Sequence, residues 1–279
     1  MRQIESIREM QEWSAGQRLA GKRLALVPTM GYLHEGHLSL VDEARRRADL
    51  VAMSIFVNPT QFGPNEDFEK YPRDLPRDRA LAESRGVDIL FVPAAAEMYP
   101  PGDQTFVTVA ELSRGLCGAF RPGHFRGVAT IVAKLFLIAQ PHVAVFGEKD
   151  YQQLKIIQRM ARDLHMPVEV VGLPTLREKE GLAMSSRNAY LSEAERAEAW
   201  NISRAIAAAR DAAQSGERRT AALRERALAV LAEGKNTIVQ YLEIVDAETL
   251  ESVETLDRPS RLILAVYLNG KRLIDNGPL

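Results

Sequence analysis

The sequence predicts an α/β protein: a mostly parallel sheet covered by helices, with a second, smaller α+β unit at the C-terminal end. Three observations predict it. Short apolar runs alternate with helix-periodic segments from residue 24 to residue 173, as in βαβ units with right-handed crossovers. The run Leu50-Val-Ala-Met-Ser-Ile-Phe-Val57 is almost continuously apolar, as expected of a parallel strand covered on both faces. After Pro174 the pattern changes to two Ala-rich, charged helical segments, then to alternating strands and Asn269-Gly270, a strong two-residue hairpin signal. That change sets the domain boundary near 174–180, with one domain over residues 1–175 and another over 176–279.

Taken in order, Ile4, Ile7, Met10 and Trp13 form one stripe of an amphipathic helix over 4–19, read as core-facing. Residues 24–27 are a first strand, bounded by Pro28. Residues 37–48 are a first helix, with Leu38, Val41 and the apolar part of Arg45 at helical spacing. The strand over 49–57 runs into Asn58-Pro-Thr-Gln-Phe-Gly63. A polar segment over 65–74 precedes a charged helix ending at Arg85, and 86–93 is a turn and strand. Residues 105–109 alternate as a short strand. Arg121-Pro-Gly-His-Phe-Arg-Gly127 is a polar loop before an apolar helix over 128–139. Residues 142–146 are a strand, 151–164 a helix, and 167–173 the last strand of the alternation. In the second domain 192–213 and 219–233 are helical, with the run 205–210 read as a solvated face, and 237–245 and 261–268 alternate as strands.

Hydrophobic residues make up 46% of the chain and charged residues 26%, which places its 279 residues among ordinary globular proteins with an ample core. The 36 Lys and Arg against 37 Asp and Glu leave a net charge of −1, which argues against broad nucleic-acid binding. No apolar run has the length of a membrane span, and the first ten residues carry charges at helical spacing where a signal peptide would carry an apolar core. Cys117 is the only cysteine, so no intrachain disulfide forms and a reducing, cytoplasmic setting is expected.

The candidate chemistry begins where the first strand ends. In Pro28-Thr-Met-Gly-Tyr-Leu-His-Glu-Gly-His37, Gly31 and Gly36 permit close backbone approach, and His34 and His37 stand three residues apart as the pattern turns helical. Two imidazoles beside the N–H groups of a helix start suit an anion, and in particular charge on a phosphate during transfer. A lone histidine at such a place is more often structural; two, spaced by Gly, even the balance. The zinc pattern His-Glu-x-x-His needs ligands at i and i+4, which His-Glu-Gly-His does not provide. Asn58 and Gln61 follow the carboxyl end of the next strand, the place where open α/β sheets bind ligands.

Gly147-Glu-Lys-Asp150 follows a strand in the same way. Lys149 can meet a phosphate as a point charge, and Asp150 can accept from ribose hydroxyls or orient the lysine. Solvated turns of that composition are common, so its place after a strand carries the weight. Gly181-Leu-Ala-Met-Ser-Ser-Arg-Asn188 puts two hydroxyls and a guanidinium in one short loop, a phosphate clamp. Its bland alternative is a helix N-cap, but Ser192 with Glu195 is the better capping box, which leaves Ser185 and Ser186 without an evident structural duty.

Two histidines after the first strand and a Met-Ser-Ser-Arg loop after the last resemble the nucleotidyltransferase superfamily that includes class I aminoacyl-tRNA synthetases. Within it the chain resembles the pantoate–β-alanine ligases (pantothenate synthetases). The matching segments are the turn ending at His37, Ser54-Ile-Phe-Val-Asn-Pro-Thr-Gln-Phe-Gly63, Tyr71-Pro-Arg73, the 121–127 loop, Phe146-Gly-Glu-Lys-Asp-Tyr-Gln-Gln153 and Gly181-Leu-Ala-Met-Ser-Ser-Arg-Asn-Ala-Tyr190. They cover essentially the whole chain in order. Two departures are small. Leu176 stands where members often carry Val, at a position lining adenine through its backbone, and Cys117 stands where some relatives carry Glu.

The resemblance implies a Rossmann-like, doubly wound sheet and an ATP-dependent ligase. (R)-Pantoate and ATP would give pantoyl adenylate and pyrophosphate, and the amine of β-alanine would then give pantothenate and AMP. It implies that His34, His37, Lys149, Ser185, Ser186 and Arg187 meet the charge on the transferring phosphate, with His37 the proton donor. ATP would be lined by Met30, Gly31, Tyr32, Leu33, His34, Glu35, Gly36, His37, Gly147, Glu148, Lys149, Asp150, Leu176, Met184, Ser185, Ser186 and Arg187. Gln61 would bind pantoate and face β-alanine, and Gln153 would bind pantoate. Mg2+ would bridge the ATP phosphates, as it does with few protein ligands, with Asp78 the metal-side candidate. A cytoplasmic homodimer is implied as well. Two other classes compete. An adenylyltransferase making a dinucleotide needs a basic pocket for its acceptor phosphate, whereas the amides Gln61 and Gln153 suit a polyol acid. A nucleotide-binding regulator would release no pyrophosphate when pantoate is added.

Overall fold

The computed structural model describes residues 1–64 and 66–279. Asn65, the first residue of the polar segment over 65–74, lies outside the described residues. The chain divides into two compact units. The first holds Met1–Ser113, Gly118–Glu148 and Gln153–Pro174; the second holds Thr175–Leu279 with two short stretches, Arg114–Cys117 and Lys149–Gln152. No helix among the described residues is long and apolar enough to cross a membrane.

The first unit is built on six parallel strands, β1 (Arg2–Ile4), β2 (Leu24–Thr29), β3 (Leu50–Ile55), β4 (Ile89–Phe91), β5 (Val143–Gly147) and β6 (Glu169–Leu173), in the order β1-β4-β3-β2-β5-β6. Helices α1 (Ile7–Leu19), α2 (Glu35–Arg47), α3 (Leu75–Ser84), α4 (Ala95–Met98), α5 (Cys117–Phe120), α6 (His124–Ala139) and α7 (Tyr151–Asp163) lie between the strands in sequence. β2 is apolar because Leu24, Ala25, Leu26 and Val27 are wholly buried, and Val27, Val41, Met53, Leu90 and Val145 share one core cluster. β2 lies between β3 and β5, so the strand order runs outward in both directions from it. The crevice of such a sheet opens at the carboxyl ends of the strands flanking that switch.

Three elements of this unit differ from the sequence reading. Ile4 belongs to β1, paired with Phe91 of β4, and α1 begins only at Ile7, capped by the Ser6 hydroxyl accepting from Glu9 N–H. A three-residue strand is too short to show its period of two. Residues 105–109 alternate but lie in no strand, because alternation supplies a face and not a backbone partner; Val107 N–H donates instead to Thr130 Oγ1 at 3.0 Å. Helix α6 starts at His124, four residues before expectation, behind Gly123 at φ 84°. Four residues further on, a Cβ at position 127 would stand 2.3 Å from the carbonyl oxygen of Thr60, so only glycine lets α6 approach the turn after β3.

The second unit is an antiparallel meander, β7 (Thr237–Asp246), β8 (Ser260–Leu268) and β9 (Lys271–Pro278), with helices α8 (Glu193–Gln214) and α9 (Thr220–Leu231). Asn269 and Gly270 join β8 to β9 with φ of 47° and 78°, the two positive angles a tight primed turn requires. The capping box is present: Ser192 N–H donates to Glu195 Oε2 at 2.8 Å, and the Ser192 hydroxyl accepts from Glu195 N–H at 3.3 Å. The run 205–210 is not a solvated face. Ala205, Ile206 and Ala209 are buried in one cluster with Leu223, Ala227 and Leu264, small side chains that let the helices pack closely.

Candidate active site

The turn leaving β2 is held from both sides. His34 is extended (φ −140°, ψ 173°) and serves as the N-cap of α2, which starts at Glu35 and not at His37. His34 Nδ1 accepts from Gly36 N–H at 3.1 Å, and His37 Nδ1 accepts from His34 N–H at 3.3 Å, a capping box made by two imidazoles. The ring centroids lie 4.0 Å apart with their planes tilted by 34°. An Nδ1 that accepts carries no hydrogen, so in the neutral rings the hydrogen sits on Nε2. The cap thus fixes the tautomer, with the N–H of each neutral ring at Nε2.

Asp78, the metal-side candidate, has another duty. It is buried, with 1% of its surface exposed; Oδ2 accepts from Tyr32 N–H and Oδ1 from Leu33 N–H, both at 2.7 Å. A Cβ on Gly31, which sits at φ 82°, would come within 2.9 Å of Oδ2. Burial pushes the Asp78 carboxyl above its ordinary value, and the two backbone bonds oppose that shift. Among the described residues no three His, Cys, Asp or Glu side chains gather to hold a metal. Asp78 therefore fits the role of a brace for the turn better than that of an ion ligand. The other turn residues divide as follows. Leu33 is wholly buried, Glu35 pairs with Arg85, and the Tyr32 ring lies 5.2 Å from the Arg77 guanidinium.

Beyond β3, Asn58 is 1% exposed and organises its turn. Its Nδ2 donates to Gln61 Oε1 at 3.1 Å and to the Gly127 carbonyl at 3.2 Å, while its Oδ1 accepts from Tyr99 O–H at 2.8 Å and Thr60 O–H at 3.0 Å. Gln61 Nε2 lies 3.1 Å from Met30 Sδ. The Gln61 carbonyl accepts from His124 Nδ1 at 2.8 Å and from Arg121, which is itself paired with Glu66. The 121–127 motif thus fixes Gln61 from behind. Gly147 and Glu148 close β5 in this unit and Gln153 opens its part of α7, half-buried.

The remaining candidates belong to the second unit. Lys149 is 20% exposed, its Nζ lies 3.8 Å from Asp150 Oδ2, and its carbonyl accepts from Asn276 at 2.9 Å. Residues 176–184 form a hairpin: Met184 N–H donates to the Leu176 carbonyl at 3.0 Å and Glu178 N–H to the Leu182 carbonyl at 2.8 Å. Ser185 does have a structural duty, contrary to expectation. Its hydroxyl accepts from Arg187 N–H at 3.3 Å and caps the short turn Ser186–Tyr190, with Ser186 buried. Two anchors invisible to motif reading hold the segment. Glu178 accepts from Arg196 at 2.8 and 2.6 Å and from Asn188 at 2.9 Å, and Arg177 forks onto buried Asp275 at 2.6 and 2.9 Å. Their partners lie 18 and 98 residues apart in sequence, beyond any local signal. Cys117, buried, keeps a polar contact: Arg272 donates toward its Sγ at 3.6 Å.

Parallel strands diverging from a switch point, with a capped helix start at the carboxyl end of β2, define a Rossmann-like α/β protein of the class that binds ligands at its strand ends. Whole-chain similarity is more specific. The pantothenate synthetase of Geotalea uraniireducens is 56% identical over 276 residues, covering 99% of this chain and 98% of that relative, and that of Geobacter sulfurreducens is 55% identical with the same coverage. The crystal structure of pantothenate synthetase from Thermus thermophilus superposes with a TM-score of 0.94 at 48% identity, covering 99% of both chains. A pantoate-beta-alanine ligase from Francisella tularensis, complexed with beta-gamma ATP and beta-alanine, superposes at 0.81 and 31% identity over 100% of this chain and 97% of that one. The chain belongs to the pantoate-beta-alanine ligase family, whose model matches residues 2–278.

Proposed function

We propose that this enzyme joins (R)-pantoate to β-alanine in two steps on one ATP. The pantoate carboxylate attacks the α-phosphorus, forming the acyl–phosphate bond of pantoyl adenylate and expelling pyrophosphate. The β-alanine amine then attacks the acyl carbon, forming the amide of pantothenate, losing a proton and expelling AMP. A carboxylate is a poor acyl electrophile, and adenylation gives it a leaving group. Family membership supports the overall ligation, and the double histidine cap is the observation that carries the phosphate chemistry. It sets two imidazole N–H donors on a helix start.

His37 acts as proton donor, and His34, Lys149, Ser185, Ser186 and Arg187 meet phosphate charge. Met30, Gly31, Tyr32, Leu33, Glu35, Gly36, Gly147, Glu148, Asp150, Leu176 and Met184 line ATP together with these residues. Gln61 and Gln153 take pantoate, and Gln61 also faces β-alanine. Residues 1–175 form the ATP- and pantoate-binding domain, and 176–279 carry the Met-Ser-Ser-Arg loop. Mg2+ enters on the ATP phosphates, where it neutralises charge and needs few protein ligands; Asp78 is not assigned to it. The enzyme is read as a cytoplasmic homodimer.

The test is isotope exchange. The protein should exchange labelled pyrophosphate into ATP when pantoate is present and β-alanine is absent. Exchange that requires β-alanine would overturn the adenylate, and release of ADP in place of AMP would overturn the roles given to His34, His37 and Lys149.

A further inference from the structure

The surroundings of Asn58 decide which end of the Gln61 amide meets a substrate. Two backbone groups settle the orientation of Asn58 itself. Thr60 N–H, which can only donate, faces Oδ1 at 3.4 Å, and the Gly127 carbonyl, which can only accept, faces Nδ2 at 3.2 Å. The hydroxyls of Tyr99 and Thr60 add donors to Oδ1 at 2.8 and 3.0 Å. With Oδ1 committed, the second hydrogen of Nδ2 goes to Gln61 at 3.1 Å, and the atom receiving it must be Oε1. Gln61 Nε2 is thereby turned the other way, toward Met30 Sδ at 3.1 Å, a weak acceptor that a ligand oxygen can replace.

We infer that Asn58 and Tyr99 are positioning residues that turn the Gln61 amide so that its N–H groups, and not its carbonyl, face an oxygen of the hydroxy acid. The inference rests on the assignment of Gln61 to pantoate and adds the polarity of that contact. Three features support it. Asn58 is 1% exposed, so solvent does not compete for its bonds. The Tyr99 phenol is pushed above its ordinary value, chiefly by burial, and so keeps the proton it must donate. Its ring is held by the Lys134 ammonium at 4.4 Å, which also bonds the Met98 carbonyl and Asp103. The Gln61 backbone is fixed by Arg121 and His124, so the side-chain amide is the part left to orient.

The test is a double-mutant cycle on the full chain, reading KM for pantoate, KM for ATP and kcat. Tyr99→Phe removes one of the donors to Oδ1 and should raise KM for pantoate about three- to tenfold with KM for ATP unchanged. Asn58→Asp, which has no N–H to give, should let Gln61 turn its own N–H inward and raise KM for pantoate more. In a Gln61→Ala background both substitutions should have no more than about a twofold effect on KM for pantoate, because nothing is left for them to orient. Should Asn58→Asp fail to fold, as thermal melting would reveal, the Tyr99→Phe and Gln61→Ala cycle decides alone. Multiplicative effects on KM for pantoate, or a Tyr99→Phe enzyme with unchanged KM for pantoate, would overturn the positioning role while leaving Gln61 assigned to pantoate. A Gln61→Ala enzyme with unchanged KM for pantoate would instead overturn that assignment, and the inference with it.

Discussion

The turn over 30–37 hangs on a carboxylate with 1% of its surface exposed, whereas the segment over 176–190 hangs partly on an ion pair whose side chains are 36% and 21% exposed, Arg196 with Glu178. Both present groups suited to phosphate. In the first, the anchoring bonds end on the turn's own backbone: Asp78 accepts from Tyr32 and Leu33 at 2.7 Å, His34 from Gly36 at 3.1 Å and His37 from His34 at 3.3 Å. In the second, one anchor, Arg196 with Glu178, is within reach of water and salt, while the other, Arg177, forks onto buried Asp275. The turn is thus preformed, and the segment is held in part by a contact that salt can screen.

The largest expected effect breaks the turn's chemistry. His37→Ala should lower the rate of AMP formation by about two to four orders of magnitude, the usual loss for a transition-state donor. It should cost only about 0.5–2 kcal/mol of stability, the loss of a cap. Steady-state rates and a thermal melt on the same sample check both, and a near-wild-type rate would remove His37 from the reaction.

A smaller effect sharpens the contrast between anchors. Asp78→Asn leaves a buried backbone N–H facing an amide and should cost about 1–3 kcal/mol, insensitive to salt. Glu178→Gln should cost about 0.2–1 kcal/mol in dilute buffer and less at high salt. Denaturant unfolding of both variants at two salt concentrations tests this. Equal losses that respond equally to salt would erase the distinction.

The smallest effect is on pH, and the turn over 30–37 and the cap of α8 should respond with opposite sign. The Asp78 carboxyl lies above its ordinary value because it is buried, so its contribution is greatest at low pH and declines as pH rises through that raised value. Lys271 foremost, then Ser192 N–H and Asn269, hold Glu195 down at about 2, against an ordinary 4.5. Its contribution to the α8 cap is present above 4.5 and fades as pH falls toward 2. Thermal melts from pH 2 to 7 of Asp78→Asn and Glu195→Gln, each against the parent, should give stability differences that change with pH in opposite directions. A shared direction would refute one of the two shifts.

How much of this was legible depended on range. The parallel strands could be read because β2 and β3 are buried on both faces and keep no polar alternation, and the β8–β9 turn because Asn269 and Gly270 tolerate positive φ. The histidine pair was visible, yet its capping role was not, since Nδ1 acceptance depends on where the helix begins, and the helix begins two residues earlier than the apolar pattern suggests. Asp78, the metal-side candidate of the resemblance, gives no local sign of bracing the turn, because its partners are 45 and 46 residues away. Arg177 and Asp275 meet across 98 residues, and no local periodicity records such a meeting.

Gly127 has a consequence for anyone who wishes to redesign this enzyme. Its missing side chain leaves room for the Thr60 carbonyl and, at 2.8 Å from where a Cβ would stand, for the Gln61 backbone nitrogen. A codon library at position 127 would therefore act as a remote dial on residue 61. Even alanine would lift the turn from the helix and, under the role proposed for Gln61, should change use of the acid before use of ATP. Screens that sample only the residues facing a docked acid would pass over this position.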